Sequence, residues 1–177
     1  MNPYPAWPFL SDPSHPLLSA VWAVAIHGVI SLAAVAPIVQ RSRRRLAYAA
    51  LAFVGGSAID LDHFIAAGSL NLRTIETMSG RPDTHSLIFA VGLGLVAFAL
   101  TRRAIAGWSV FAVTLAHLLF DAAGGSEHFL YPFSGLDGLP WITCPLGTIA
   151  LAVASAAIAA AAMQSPQPAV RRRAAAA

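Results

Sequence analysis

Lysine is missing from this sequence altogether, cysteine occurs once, and charged residues of every kind make up only 11%. Each scarcity excludes something. A lone Cys144 can build neither an internal disulfide nor a cysteine-rich metal site. Soluble domains carry about a quarter of their residues charged. A chain of 177 residues that is 57% hydrophobic, with a mean hydropathy of +0.66, reads instead as a polytopic membrane protein. Its net charge of +3 comes from arginine alone, clustered between apolar runs. That is the pattern of membrane topology and not of a nucleic-acid surface, so no nucleic-acid partner is expected.

The N-terminus also lacks something: no basic region runs directly into an apolar core, as a cleaved secretory signal requires. Residues 1–15, rich in Pro, Trp and Tyr, are expected to form an irregular segment at the membrane interface. No internal repeat is present. The reading is one membrane domain over 1–177, with 164–177 a disordered cytoplasmic tail whose arginines meet anionic lipid headgroups.

What is present is a series of apolar runs: Pro16 to Val39, Leu46 to Ala66, His85 to Leu100, Ala104 to Ala123 and Cys144 to Met163. A helix needs about 20 such residues to cross a bilayer core about 30 Å thick. These runs predict an all-α integral membrane bundle of about five transmembrane helices. The connectors "RSRRR" (41–45) and "RR" (102–103) and the terminal "RRR" (171–173) then fall on one face. By the positive-inside rule that face is cytoplasmic, which puts the N-terminus out and the C-terminus in. The longer, mixed connectors after Gly68 and Gly124 face outward.

Against this apolar background, "AIDLDHF" stands out. An α-helix rises about 1.5 Å per residue, and the arginine clusters mark where each helix begins or ends. His27 stands 14 residues before Arg41, Asp60 15 after Arg45, His85 17 before Arg102 and His117 14 after Arg103. Four helices therefore bring a ligand-type side chain to one level, roughly 21 to 26 Å from the basic boundary. Within helices, Asp60 and His63 are i, i+3 and His117 and Asp121 are i, i+4, so each pair shares a face. Asp62 points elsewhere if its helix is regular.

Ionisable groups at such depth normally face the bundle interior and pair. Three aspartates and four histidines converge here with no arginine inside the spans to neutralise them. A divalent cation is the natural counter-charge. Mixed imidazole and carboxylate donors suit Zn²⁺ best, with Fe²⁺ or Mn²⁺ as alternatives, and seven candidates are enough for one ion or two. Simpler readings exist for each part: His27 as a packing residue, the Asp60 to His63 cluster as a helix end meeting water, His117 with Asp121 as a hydrogen-bonded pair. His85 has its own, as a first-turn residue behind an N-cap at Asp83 or Thr84.

The pieces "DLDH" (60–63), "RPDTHSL" (81–87), "HLLFD" (117–121) and "LYPFS" (130–134), preceded by His27, occur in an order that resembles the YdjM-like, LexA-regulated family of small bacterial inner-membrane metal-dependent hydrolases. The resemblance spans His27 to Ser134. It implies a helical protein of the bacterial cytoplasmic membrane with metal-ligand roles on His27, Asp60, Asp62, His63, His85, His117 and Asp121, and supporting roles on Arg81, Thr84 and Ser86. Gly80 and the stretch "AAGGSEH" depart from the family pattern. The ligand order is also similar to that of zinc-dependent phospholipases C.

The expected activity is metal-assisted hydrolysis, with Asp62 or Glu127 accepting the proton and Arg81 binding an anion at the site's mouth. Guanidinium binds phosphate bidentately, which favours a phosphoester, and a site in the outer leaflet favours an amphiphilic, lipid or lipid-linked substrate. Two other classes compete. A metal transporter would need ionisable residues continuing through the inner halves of the helices, and "LAYAALAFVGG" and "IAGWSVFAVT" hold none. A non-catalytic module whose metal staples the helices would leave Arg81 and the outer loops without a role.

Overall fold

The uninterrupted apolar run from Pro16 forms α1 (Pro16–Val39), a helix of 24 residues. The computed structural model describes residues 16–76, 82–124, 127–130, 134–136 and 145–164. The interfacial segment expected at 1–15, the tail beyond Gln164 and Arg81 lie outside the described residues. After α1 come α2 (Arg45–Ala58), α3 (Leu61–Ala67), α4 (Leu72–Glu76), α5 (Leu87–Thr101), α6 (Ala104–Gly124), a hairpin of β1 (Glu127–Leu130) and β2 (Ser134–Leu136), and α7 (Pro145–Gln164).

The all-α membrane bundle is therefore the architecture, with three differences in detail. First, the span expected as one helix from Leu46 is broken at Ile59 and Asp60, where a tight turn bonds Asp62 N to Ile59 O and His63 N to Asp60 O, both at 3.2 Å. Second, α5 starts at Leu87, after an N-cap Ser86 in extended conformation (φ −135°, ψ 154°), so His85 precedes the helix. Third, the connectors expected as loops contain structure. Asn71 Oδ1 accepts from Arg73 N at 3.0 Å and starts α4, as a side-chain oxygen at an N-cap does, and β1 pairs antiparallel with β2.

Three segments are long and apolar enough to cross a bilayer: Ala20–Val39, Arg45–Ala67 and Ala104–Asp121. Leu87–Thr101 and Ala150–Ala162 are shorter apolar helices. At 15 residues, α5 extends about 22 Å.

The distribution of side chains is that of a protein solvated by lipid. Large apolar groups such as Leu46, Leu51, Val54, Leu95 and Leu100 lie on the outside, while His27, Ser31, Ser109, Thr114, His117 and Asp121 are buried. In water so extensive an exposed apolar surface would aggregate; in a bilayer it is the solvated face.

Small residues let the helices approach. α1 lies against α2, α6 and α7, and α5 lies against α6. A Cβ on Gly56 of α2 would overlap the Ser31 side chain of α1, and one on Gly28 would come within 2.6 Å of the Phe53 ring. Where α5 crosses α6, a Cβ on Gly94 would stand 3.1 Å from the Gly107 carbonyl oxygen, and one on Gly107 3.0 Å from that of Gly94. Close backbone approach through small residues is how helices gain packing energy where lipid supplies no hydrophobic drive. The two-residue connection between α5 and α6, with Arg102 left-handed at φ 55°, holds that pair together at its basic end.

Candidate metal centre

Four segments meet at the level marked by His27. α1 brings His27, the turn between α2 and α3 brings Asp60 with Asp62 and His63 just beyond it, the connector before α5 brings His85, and α6 brings His117 and Asp121. All seven candidate ligands thus come together.

They divide into two groups that share His85. In the first, one donor atom each from Asp60, His85, His117 and Asp121 lie within 4.8 Å of one another; in the second, the same holds for Asp62, His63 and His85. His117 Nε2 stands 3.3 Å from Asp60 Oδ1 and 3.0 Å from Asp121 Oδ2. His85 Nε2 approaches the same two oxygens at 3.7 and 3.6 Å. Two imidazole nitrogens and two carboxylate oxygens therefore face a common point.

The tautomer of His117 follows from its other nitrogen. Nδ1 lies 2.7 Å from the carbonyl oxygen of Gly56, which can only accept, so Nδ1 carries a hydrogen and Nε2 is the nitrogen left to face Asp60 and Asp121. Gly56 stands in the last turn of α2, where helix carbonyls lack an intrahelical donor. One contact thus satisfies the helix end and aims the ring. His85 Nε2 and His117 Nε2 are buried and make no hydrogen bond among the described residues. Buried polar atoms are normally paired, and imidazole nitrogens this close to carboxylate oxygens call for a positive charge between them, a proton or a metal ion. The donor set fits a divalent ion, and this His/Asp group could hold one.

The second group is differently arranged. Asp62 Oδ1 accepts from His63 Nδ1 at 3.0 Å, and Asp62 Oδ2 accepts from Thr84 Oγ1. Asp62 Oδ2 also faces His85 Nδ1 at 3.2 Å. This is an approach and not a formed hydrogen bond; a carboxylate so placed against the far nitrogen of a histidine would orient it as a metal ligand. The break at Ile59 and Asp60 is what allows this: in a regular helix Asp62 would turn away, as the sequence spacing suggested.

His27 lies outside both groups. It donates Nε2–H to Asp121 Oδ1 at 3.0 Å and presents Nδ1 to Asp60 Oδ2 at 3.2 Å, so it touches the outer oxygens of the two carboxylates whose inner oxygens face His117. Its ring stacks on that of His117, centroids 4.0 Å apart and planes 28° from parallel. Burial is uneven. The Asp121 side chain is 2% exposed, whereas Asp60 keeps 27% and Asp62 19%, so the centre opens on the side of the α2–α3 turn.

Of the remaining expectations, Glu127 falls on β1 opposite Leu136, with its side chain outside what is described. The residue that the sequence did not reveal is Gly56, which acts through a backbone carbonyl and leaves no side-chain signal. Its only trace is a glycine pair, Gly55 and Gly56, one turn before the Asp60 turn.

Comparison with known proteins bears on this centre. The family model for the YdjM inner membrane protein matches residues 23–177. The chain is similar to transmembrane protein 267 of Xenopus laevis, 32% identical over 141 residues, which take in 75% of this chain. It spans 60% of the length of that curated relative. No solved structure matches.

Proposed function

The chain belongs to the YdjM inner membrane protein family, and from that premise we propose that it is a membrane-embedded, metal-dependent hydrolase acting on a phosphoester of a lipid or lipid-linked substrate at the outer leaflet. The observation that carries this reading is the convergence of His85 Nε2 and His117 Nε2, both buried and without a hydrogen bond among the described residues, on Asp60 Oδ1 and Asp121 Oδ2. Zn²⁺ suits such nitrogen and oxygen donors best, with Fe²⁺ and Mn²⁺ as alternatives.

One ion in the first group is the favoured occupancy, because both oxygens of Asp62 in the second are already engaged by His63 Nδ1 and Thr84 Oγ1. When bound, the metal supplies a Lewis acid that activates water near neutral pH and polarises the electrophile. The chain's own residues do the rest. His27 and Gly56 hold Asp121 and His117 in place. Asp62, at the open side of the centre, accepts the proton. Arg81, four residues before His85, binds the phosphate's charge, and Glu127 stands near in sequence as a second proton acceptor.

The exposure of Asp60 favours catalysis over a sealed structural ion, since structural sites are closed and catalytic ones keep an open position. The experiment is direct: metal-reloaded protein in detergent is incubated with a phospholipid and with a lipid-linked phosphate, and released phosphate species are followed. Hydrolysis that stops on chelation and is absent in His117→Ala supports the proposal. Failure on every phosphoester by protein carrying stoichiometric metal leaves the structural role as the better reading.

A further inference from the structure

A second feature of the molecule lies away from the metal centre. Between α2 on one side and α5 and α6 on the other runs a groove of about 540 Å³, walled by Leu51, Gly55, Leu93, Val110 and Val113. The volume is within the roughly 300 to 1,000 Å³ of small-molecule sites. Its length along α2, from Arg44 to Ile59, is about 22 Å, against about 15 Å for one leaflet's half of the hydrocarbon core.

The ends of the groove differ. At one end stand Arg44, Arg103, Tyr48 and Thr101; at the other, Ile59 and Thr114 close it below the metal centre. Both arginines are exposed and neither makes an ion pair among the described residues. On the wall between the ends, Ser109 is 8% exposed and its Oγ has no hydrogen-bond partner among the described residues. A channel with two cations at the mouth, an unsatisfied hydroxyl inside and aliphatic walls has the chemistry of an amphiphile with an anionic head.

We propose that this groove is a binding site for an anionic phospholipid of the basic-side leaflet, whose phosphate meets Arg44 and Arg103 while one acyl chain lies along α2. Ser109 donates its hydroxyl hydrogen to an ester carbonyl of that lipid. The site is distinct from the metal centre: its lining includes none of the seven histidines and aspartates, and its charged mouth is at the opposite end of the helices. Tyr48 beside Arg44 is in keeping with a headgroup-level position, where tyrosines concentrate.

Gly55 provides a clean probe. A Cβ there meets only Val113 Cγ1, at 4.0 Å, so a larger side chain enters the groove without striking a neighbouring backbone. The experiment is native mass spectrometry of the full chain in non-ionic detergent, titrated with phosphatidylglycerol or with phosphatidylcholine of the same acyl chains. Wild type is expected to retain phosphatidylglycerol preferentially. Arg44→Gln with Arg103→Gln is expected to weaken that lipid about tenfold or more, to the level of phosphatidylcholine, while the corresponding pair of lysine substitutions keeps the preference. Gly55→Leu should weaken both lipids.

Metal content, read on the same samples, should stay at the wild-type level in every variant, which separates this site from the proposed catalytic one. Equal retention of the two lipids by wild type would overturn the proposal, and that comparison needs no variant to fold. Loss in the glutamine pair with full binding in Gly55→Leu would mean surface electrostatics only, and would also overturn the groove.

Discussion

His117 gives its Nδ1 hydrogen to the carbonyl of Gly56, 2.7 Å away on another helix, and so turns its Nε2 toward Asp60 and Asp121. The contact joins α6 to the last turn of α2 at the level where the ionisable residues gather. It makes the helix packing and the donor geometry one structural fact.

Gly56 should tolerate no side chain. A Cβ there overlaps Ser31 on α1 and stands 3.1 Å from the His27 carbonyl oxygen. Gly56→Ala is expected to lower stability by about 1 to 3 kcal/mol through overpacking, seen as an earlier thermal transition in detergent. Adding Ser31→Gly should recover much of the loss; a double variant no better than the single would contradict the steric account.

His27 should behave as a support for the donors. Because it holds the outer oxygen of Asp121, His27→Ala is expected to weaken metal binding by about 10- to 100-fold and leave binding detectable at high metal. A competition titration with a chromophoric chelator measures this. Affinity unchanged in His27→Ala would remove the residue from the centre.

Asp62 separates chemistry from binding. If it accepts the proton, Asp62→Asn saturated with metal should still hold one ion per chain and lower turnover of the phosphoester by about a hundredfold or more. Loss of metal in step with activity would instead make Asp62 a ligand, as in a two-ion arrangement.

The orientation is open to a separate check. A reporter fused after Ser79 should be active outside the cytoplasm, and one fused after Gln164 inside, if the arginine-rich connectors at 41–45 and 102–103 follow the positive-inside rule. The opposite pattern would place the metal centre toward the cytoplasm and with it the substrate.

Much of this was legible in the residues. The run from Pro16 to Val39 is α1 to the residue, and counting from the arginines set His27 and His117, both within helices, at one level because a helix converts sequence distance into depth; Asp60 and His85 join them from just beyond the ends of α2 and α5. The turn at Ile59 and Asp60 was not legible. It lasts two residues and contains neither proline nor glycine, and its polar residues read equally as ligands on a continuous helix or as a helix end, so only the contacts of Asp60 and Asp62 reveal it. The start of α5 was ambiguous for another reason: Asp83, Thr84 and Ser86 are all capping types, and the structure puts Ser86 at the N-cap position without a capping hydrogen bond from its side chain. Glu127 pairs with Leu136 in a hairpin whose β1 lies against α6 and α5, a placement that no local pattern encodes.

The most direct test of the central claim is elemental analysis of the detergent-purified protein, prepared without chelator and after reloading, with wild type beside His85→Ala. His85 belongs to both donor groups, so its loss strikes either arrangement. The account predicts about one equivalent of Zn, Fe or Mn per wild-type chain, falling sharply in a folded His85→Ala variant. Wild-type protein without stoichiometric metal, or His85→Ala with its metal intact, would contradict it.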